Sequence, residues 1–188
     1  AYDMTREAFD VSERFEIPVM VRLVTRLAHS RGVVRTGATR EENPPHKQGR
    51  TSAWILLPGN ARRRWRALLE RQRELRQYTA ASPFNAVETD PATRVGVITT
   101  GLARNYYLEN LPDLAERPAH LHVGAYPFPA EAIRAFVAPL ARVLVLEEGY
   151  PHLERALRGI VPPAALQIQG RESGEVPPDG ELDPDLVR

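Results

Sequence analysis

Three groups of side chains have the types and spacing for chemistry. Arg22, Thr25, Arg26, His29, Ser30 and Arg31 crowd together directly after an apolar run. Arginines so placed can grip a carboxylate or phosphate through paired N–H donors, and a neighbouring histidine can carry a proton at neutral pH. A salt-bridge and capping network at a domain seam is the alternative use of the same residues. Thr99, Thr100 and Gly101 end an apolar run and precede a helical pattern. They can offer hydroxyls and backbone N–H groups to an anion, but no GxGxxG fingerprint accompanies them, and a helix cap with a tight turn is the simpler reading. In VLVLEEGYPHLERALRG (143–159), apolar residues stop at Glu147 and Glu148, followed by a glycine and Tyr150. Adjacent residues of a strand point to opposite sides, so these carboxylates are not spaced as a paired acid and base. One is expected to cap the next helix, the other to reach a neighbouring domain.

Two further features are weaker. His120 and His122 alternate with Leu121 and Val123 and so share one sheet face, where satisfied structural histidines are expected; a metal site lacks a third ligand. Arg62, Arg63 and Arg64 could touch nucleic acid, but glutamates nearby and a net charge of +1 favour a solvated helix face.

Stepping from these residues to the elements that carry them, the spacing predicts strands over 94–99, 120–125, 142–146 and 166–168, with helices over 102–111, 130–138 and 151–158 between them. One crossover helix per pair of strands is what parallel pairing requires, so an α/β fold with an open, mostly parallel sheet follows. In such sheets ligands gather beyond the carboxyl ends of the strands, where Thr99, Thr100, Gly101, Tyr126, Pro127, Glu147, Glu148 and Tyr150 fall.

Upstream, Met4, Ala8, Val11 and Phe15 recur with helical period, Pro18 ends that helix, and 19–24 reads as a buried strand interrupted only by Arg22. Residues 32–49 turn to Gly, Thr, Asn, Pro and charge, an exposed connection. A long helix is expected over 60–81, capped by Asn60, with Trp65, Leu68, Leu69, Leu75 and Tyr78 on one face and Pro83 beyond its end. The tail from 171, with Pro177, Pro178, Pro184, Gly174 and Gly180, reads as a linker.

Composition limits the chemistry. The chain has 188 residues and no cysteine, which excludes disulfides, thiolate nucleophiles and cysteine-ligated clusters built from these residues. With 25 basic and 24 acidic side chains, no global field draws it to nucleic acid or an anionic membrane. No apolar run approaches the ~20 residues that span a bilayer, and no signal peptide is apparent, so a cytoplasmic location is expected. Ala1 stands where the first helix is already under way, as though the chain were cut from a longer one.

Several segments carry a family resemblance: AFDVSERFEIPVMVRLVTRLAHSRG (8–32), SPFNAVE (82–88), VGVITTGLARNYY (95–107), VLVLEEGYPHLERALRG and GRESGEVPPDGELDPDLV (170–187). Together they resemble the thiamine-diphosphate-dependent 2-oxoacid:ferredoxin oxidoreductases, and their order is most similar to the large, alpha subunit of the indolepyruvate branch. The resemblance implies that 1–37 corresponds to the carboxy-terminal piece of a pyrimidine-binding domain, 38–92 to a linker and long helix, 93–170 to a transketolase C-terminal-like domain, and 171–188 to a linker towards a diphosphate-binding domain.

It further implies oxidative decarboxylation of an arylpyruvate such as indolepyruvate, with coenzyme A as acyl acceptor and ferredoxin as electron acceptor. Thiamine diphosphate, Mg²⁺ and [4Fe–4S] clusters serve that reaction in the full-length enzyme, with a second, beta subunit as partner. None of these cofactors is expected to bind this segment alone, and neither nucleic acid nor membrane is expected as a partner. Arg22, Thr25, Arg26 and His29 are the residues expected near substrate or coenzyme A. An assembly module that docks subunits without chemistry, and a free-standing nucleotide-binding domain using the TTG turn, are the competing readings.

Overall fold

The run VGVITT is rich in β-branched residues, which fit a pleated surface packed on both sides, and it forms the central strand of the fold. In a computed structural model that describes residues 1–44, 54–90, 92–161, 166–177 and 180–188, Ala1–Glu74 and Leu75–Arg188 are two compact units. The part of the expected connection beyond residue 44, and Pro178 of the tail, lie outside the described residues.

The second unit holds a five-stranded sheet. In chain order its elements are β1 (Asn85–Glu88), β2 (Val95–Thr100), α4 (Ala103–Asn110), a 3₁₀ turn (Leu111–Asp113), β3 (Ala119–Val123), α5 (Ala130–Val137), β4 (Arg142–Leu146), α6 (His152–Ile160), β5 (Gln167–Gln169) and α7 (Pro184–Val187). The strands lie in the order β1-β3-β2-β4-β5. β2 pairs in parallel with β3 and β4, β4 pairs in parallel with β5, and β1 closes one edge antiparallel to β3. The expected α/β class and mostly parallel sheet are therefore present, with β1 as an addition. Its four residues, NAVE, offer too short a pattern to announce a strand.

Alternation along the strands sorts the core into two layers. Ile98, Leu121, Val143 and Val145 pack with Ile133, Phe136 and Val137 of α5 and Leu153 and Leu157 of α6. On the other face Val97 and Leu146 pack with Ala103, Tyr106 and Tyr107 of α4 and with Val176 and Leu182 of the tail. The tail thus carries buried core residues where its proline and glycine content suggests a linker. Leu182 is 1% exposed, and Asn110 reaches across to donate to the Pro184 carbonyl at 2.6 Å. Burial of two apolar anchors outweighs the composition signal, because proline and glycine shape a chain without preventing it from packing.

The first unit contains α1 (Tyr2–Phe15), α2 (Thr25–Ala28) and most of α3 (Pro58–Ala80), whose last turns belong to the second unit. Glu16 closes α1 in the left-handed conformation, with Ile17 N–H donating to the Ser12 carbonyl. The strand expected over 19–24 does not form; Met20 is 91% and Leu23 50% exposed. The first unit has no strand among the described residues for it to pair with, and apolar content alone cannot supply a ladder. α3 begins at Pro58, two residues earlier than expected. Asn60 lies inside its first turn, donating to the Ile55 carbonyl and accepting from Arg63, instead of capping the helix. No helix among the described residues is long and apolar enough to cross a membrane.

Candidate functional site

β2 sits at the middle of the parallel strands, with its successor β3 on one side and β4 on the other. After β2 the chain leaves into α4 over one face of the sheet; after β4 it leaves into α6 over the opposite face. The carboxyl ends of β2 and β4 therefore flank a switch in winding direction, the place where open α/β sheets form a crevice. Thr99, Thr100 and Gly101 lie on one lip, Glu147, Glu148 and Tyr150 on the other.

The structure engages two of these six within the fold. Thr99 is fully buried, and its hydroxyl lies 2.9 Å from His120 Nε2 and 3.0 Å from His122 Nδ1. A hydroxyl has one proton to donate, so one imidazole accepts it while the other presents its own N–H to the oxygen. Two neutral rings in complementary roles satisfy the cluster. Burial lowers both histidines from 6.5 to about 4, and the nearby Arg104 guanidinium acts in the same direction. Tyr107 of α4 lays its ring against His120, centroids 4.4 Å apart, and burial raises its phenol pKa. Its hydroxyl has no hydrogen-bond partner among the described residues.

Glu147 is likewise internal. Its carboxylate accepts from the backbone N–H of Leu153 at 2.8 Å and of Glu154 at 3.0 Å, capping the first turn of α6. Burial raises its pKa, opposed by those N–H groups and reinforced by the charge of Glu154. Arg171 of the tail donates to the Glu147 carbonyl at 3.0 Å. Glu148 is half-buried. Tyr150 is 62% exposed, with the Arg155 guanidinium 4.4 Å from its ring centre. Thr100 is half-buried, and Gly101 is exposed with φ of 55°, a turn position that favours glycine. Leu102 is the N-cap residue of α4 and no side chain caps the helix, so the threonines do not serve as its cap.

In the first unit, Thr25 and Arg26 lie on the single helical turn α2, His29 follows as its C-cap residue, and Arg22 precedes it outside any helix or strand. All four are exposed. An open groove of about 310 Å³ lies elsewhere in that unit, between Tyr2, Arg6 and Phe9 of α1 and residues 37–40.

The bonding of Thr99 to both histidines was not legible beforehand. Alternation gives the shared face of His120 and His122, but only the register of β2 against β3, which sets Thr99 opposite His122, brings the hydroxyl to them. The described residues hold no group of three His, Cys, Asp or Glu side chains that could bind a metal ion.

No protein-family model matches the chain. It is 32% identical to the indolepyruvate oxidoreductase subunit IorA of Methanothermobacter thermautotrophicus, over 99% of this chain and 31% of that protein. The subunit of the same name from Archaeoglobus fulgidus is 30% identical over 94% of this chain and 28% of its own length. That from Thermococcus kodakarensis is 32% identical over 84% and 26%. The chain thus spans less than a third of the curated relatives it matches. Among solved structures, a 2-oxoglutarate:ferredoxin oxidoreductase from Magnetococcus marinus, with 2-oxoglutarate, coenzyme A and succinyl-CoA bound, superposes with a TM-score of 0.52. That match is 17% identical and covers 71% of this chain and 23% of the other, a likeness of fold. The resemblance read from the sequence agrees with these relatives.

Proposed function

We propose that this chain is the segment of a 2-oxoacid:ferredoxin oxidoreductase alpha subunit that contains its transketolase C-terminal-like domain. The observation that carries the reading is the similarity to the IorA subunits over 99% of the chain. The complex converts an arylpyruvate such as indolepyruvate and coenzyme A to the acyl-CoA and CO₂, passing electrons to ferredoxin, and a beta subunit completes it. Thiamine diphosphate, Mg²⁺ and iron–sulfur clusters serve that reaction. The residues present do not fit them: no cysteine is available for a cluster, and no three metal-ligating side chains converge among the described residues.

What the chain itself contributes is positioning. Arg22 and Arg26 offer exposed guanidinium groups suited to the carboxylate of a 2-oxoacid or the phosphates of coenzyme A, Thr25 a hydroxyl, and His29 an imidazole able to carry a proton. At the switch-point lip Gly101 and Tyr150 are exposed and Thr100 and Glu148 half-buried, where a neighbouring domain can rest. In the assembled oxidoreductase, Arg26→Ala and His29→Ala should each lower kcat/KM for indolepyruvate about tenfold or more at unchanged Tm. Unchanged kinetics in both variants would remove the role assigned to this turn.

A second reading, a docking module without chemistry, is favoured by the internal use of Thr99 and Glu147. Titration calorimetry with thiamine diphosphate separates the two when the chain alone is compared with the assembled complex. If the complex fails to bind the cofactor, the oxidoreductase reading fails with it.

A further inference from the structure

The amino-terminal part of α3 presents apolar side chains that nothing among the described residues covers. Residues 62–70 are exposed throughout, including Trp65 at 60%, Leu68 at 36% and Leu69 at 46%. Immediately before the helix, Trp54, Ile55, Leu56 and Leu57 are exposed as well. Single exposed leucines are ordinary on a protein surface; seven large apolar side chains on one short stretch, both tryptophans of the chain among them, are not.

The charges around them are ordered. At 3.6 residues per turn Trp65, Leu68 and Leu69 form one stripe. Arg62, Arg66 and Arg73 fall along one flank and Arg64 and Arg71 along the other, while Glu70 and Glu74 fall on the opposite face. Arg71 is paired with Glu16 at 3.2 Å. The other four flanking arginines have no carboxylate partner among the described residues.

We propose that this face docks a helical segment of a partner polypeptide whose own apolar stripe is flanked by aspartate or glutamate. Tryptophan and leucine supply an apolar centre that gains from losing water, and arginines at its edge favour carboxylates and reject lysines. A nucleic acid suits the face less well, because the apolar stripe separates the two arginine rows. This inference stands apart from the redox reading, since it concerns binding and not turnover.

The test uses the 188-residue chain and two synthetic helical peptides. Both carry leucine at i, i+3, i+4 and i+7; one has glutamate and the other lysine at the flanking positions. Trp54 and Trp65 are the only tryptophans, one just before the helix and one on its stripe, so their emission reports burial along this stretch. The glutamate peptide should shift that emission to the blue and bind roughly tenfold or more tighter than the lysine peptide. Trp65→Glu should weaken its binding about tenfold with the far-ultraviolet circular dichroism unchanged. Arg62→Glu combined with Arg66→Glu, both on the exposed flank, should reverse the preference between the peptides. Equal binding of the two peptides, or none, overturns the proposal. So does stronger competition by polyuridylate, which would make this a nucleic-acid surface. A blue shift that grows with protein concentration alone, with dimer mass in light scattering, assigns the face to a second copy of the chain and also overturns it.

Discussion

The carboxylate of Glu147 is bonded to the backbone of Leu153: one oxygen accepts the Leu153 N–H at 2.8 Å while the other accepts that of Glu154 at 3.0 Å. The strand β4 thereby ties its own end to the start of α6. Of the two adjacent carboxylates that make this stretch conspicuous in the sequence, one is a structural clamp and only Glu148, half-buried, is left for other contacts.

Removing the clamp should show as lost stability. Glu147→Ala should lower unfolding free energy by about 1–2 kcal/mol, the usual worth of a helix cap. Glu148→Ala should stay within about 0.5 kcal/mol of the parent. Urea unfolding of both variants at pH 7 provides the comparison, and equal losses would contradict the asymmetry.

The paired histidines make stability depend on pH. Both sit at about 4 in the fold against 6.5 when free, so above pH 6.5 neither state binds their protons and the contribution is fully present. Between pH 6.5 and about 4 the unfolded chain takes up protons that the native chain refuses, and stability falls. Each ring can cost about 3 kcal/mol at most by the end of that range, at ~1.4 kcal/mol per pKa unit. Urea midpoints at pH 7 and pH 5 should differ accordingly, and imidazole titration by NMR should find both rings neutral at pH 5.

Gly170 lies against Glu154, where an added Cβ would come within 2.6 Å of a carboxylate oxygen. That oxygen also accepts the Glu172 N–H at 3.0 Å, and Glu154 is fully buried, so it has little room to yield. Gly170→Ala should cost about 1–3 kcal/mol through overpacking. A thermal midpoint equal to that of the parent would show that the carboxylate moves freely.

Leu182 anchors the tail in the layer that contains Val97, Tyr106 and Leu146. Leu182→Ala should destabilise the second unit by about 2–4 kcal/mol, the range for truncating a buried leucine. A true linker would tolerate the change without cost, so calorimetry of this variant decides how the tail behaves in solution.

The sequence by itself determined the α/β class, the four parallel strands and the helices between them, because period-2 and period-3.6 patterns are local and each needs only its neighbours in the chain. It also put His120 and His122 on one face and Glu147 and Glu148 on opposite sides, without saying which of the two caps α6. Tertiary structure alone decided the rest. Thr99 meets both histidines only through the register of β2 against β3, and the tail joins the core only because Val176 and Leu182 find an open apolar layer beneath α4. Residues 19–24, apolar enough to read as a strand, join no strand among the described residues, since a ladder requires a second backbone and no local pattern can say whether one is there.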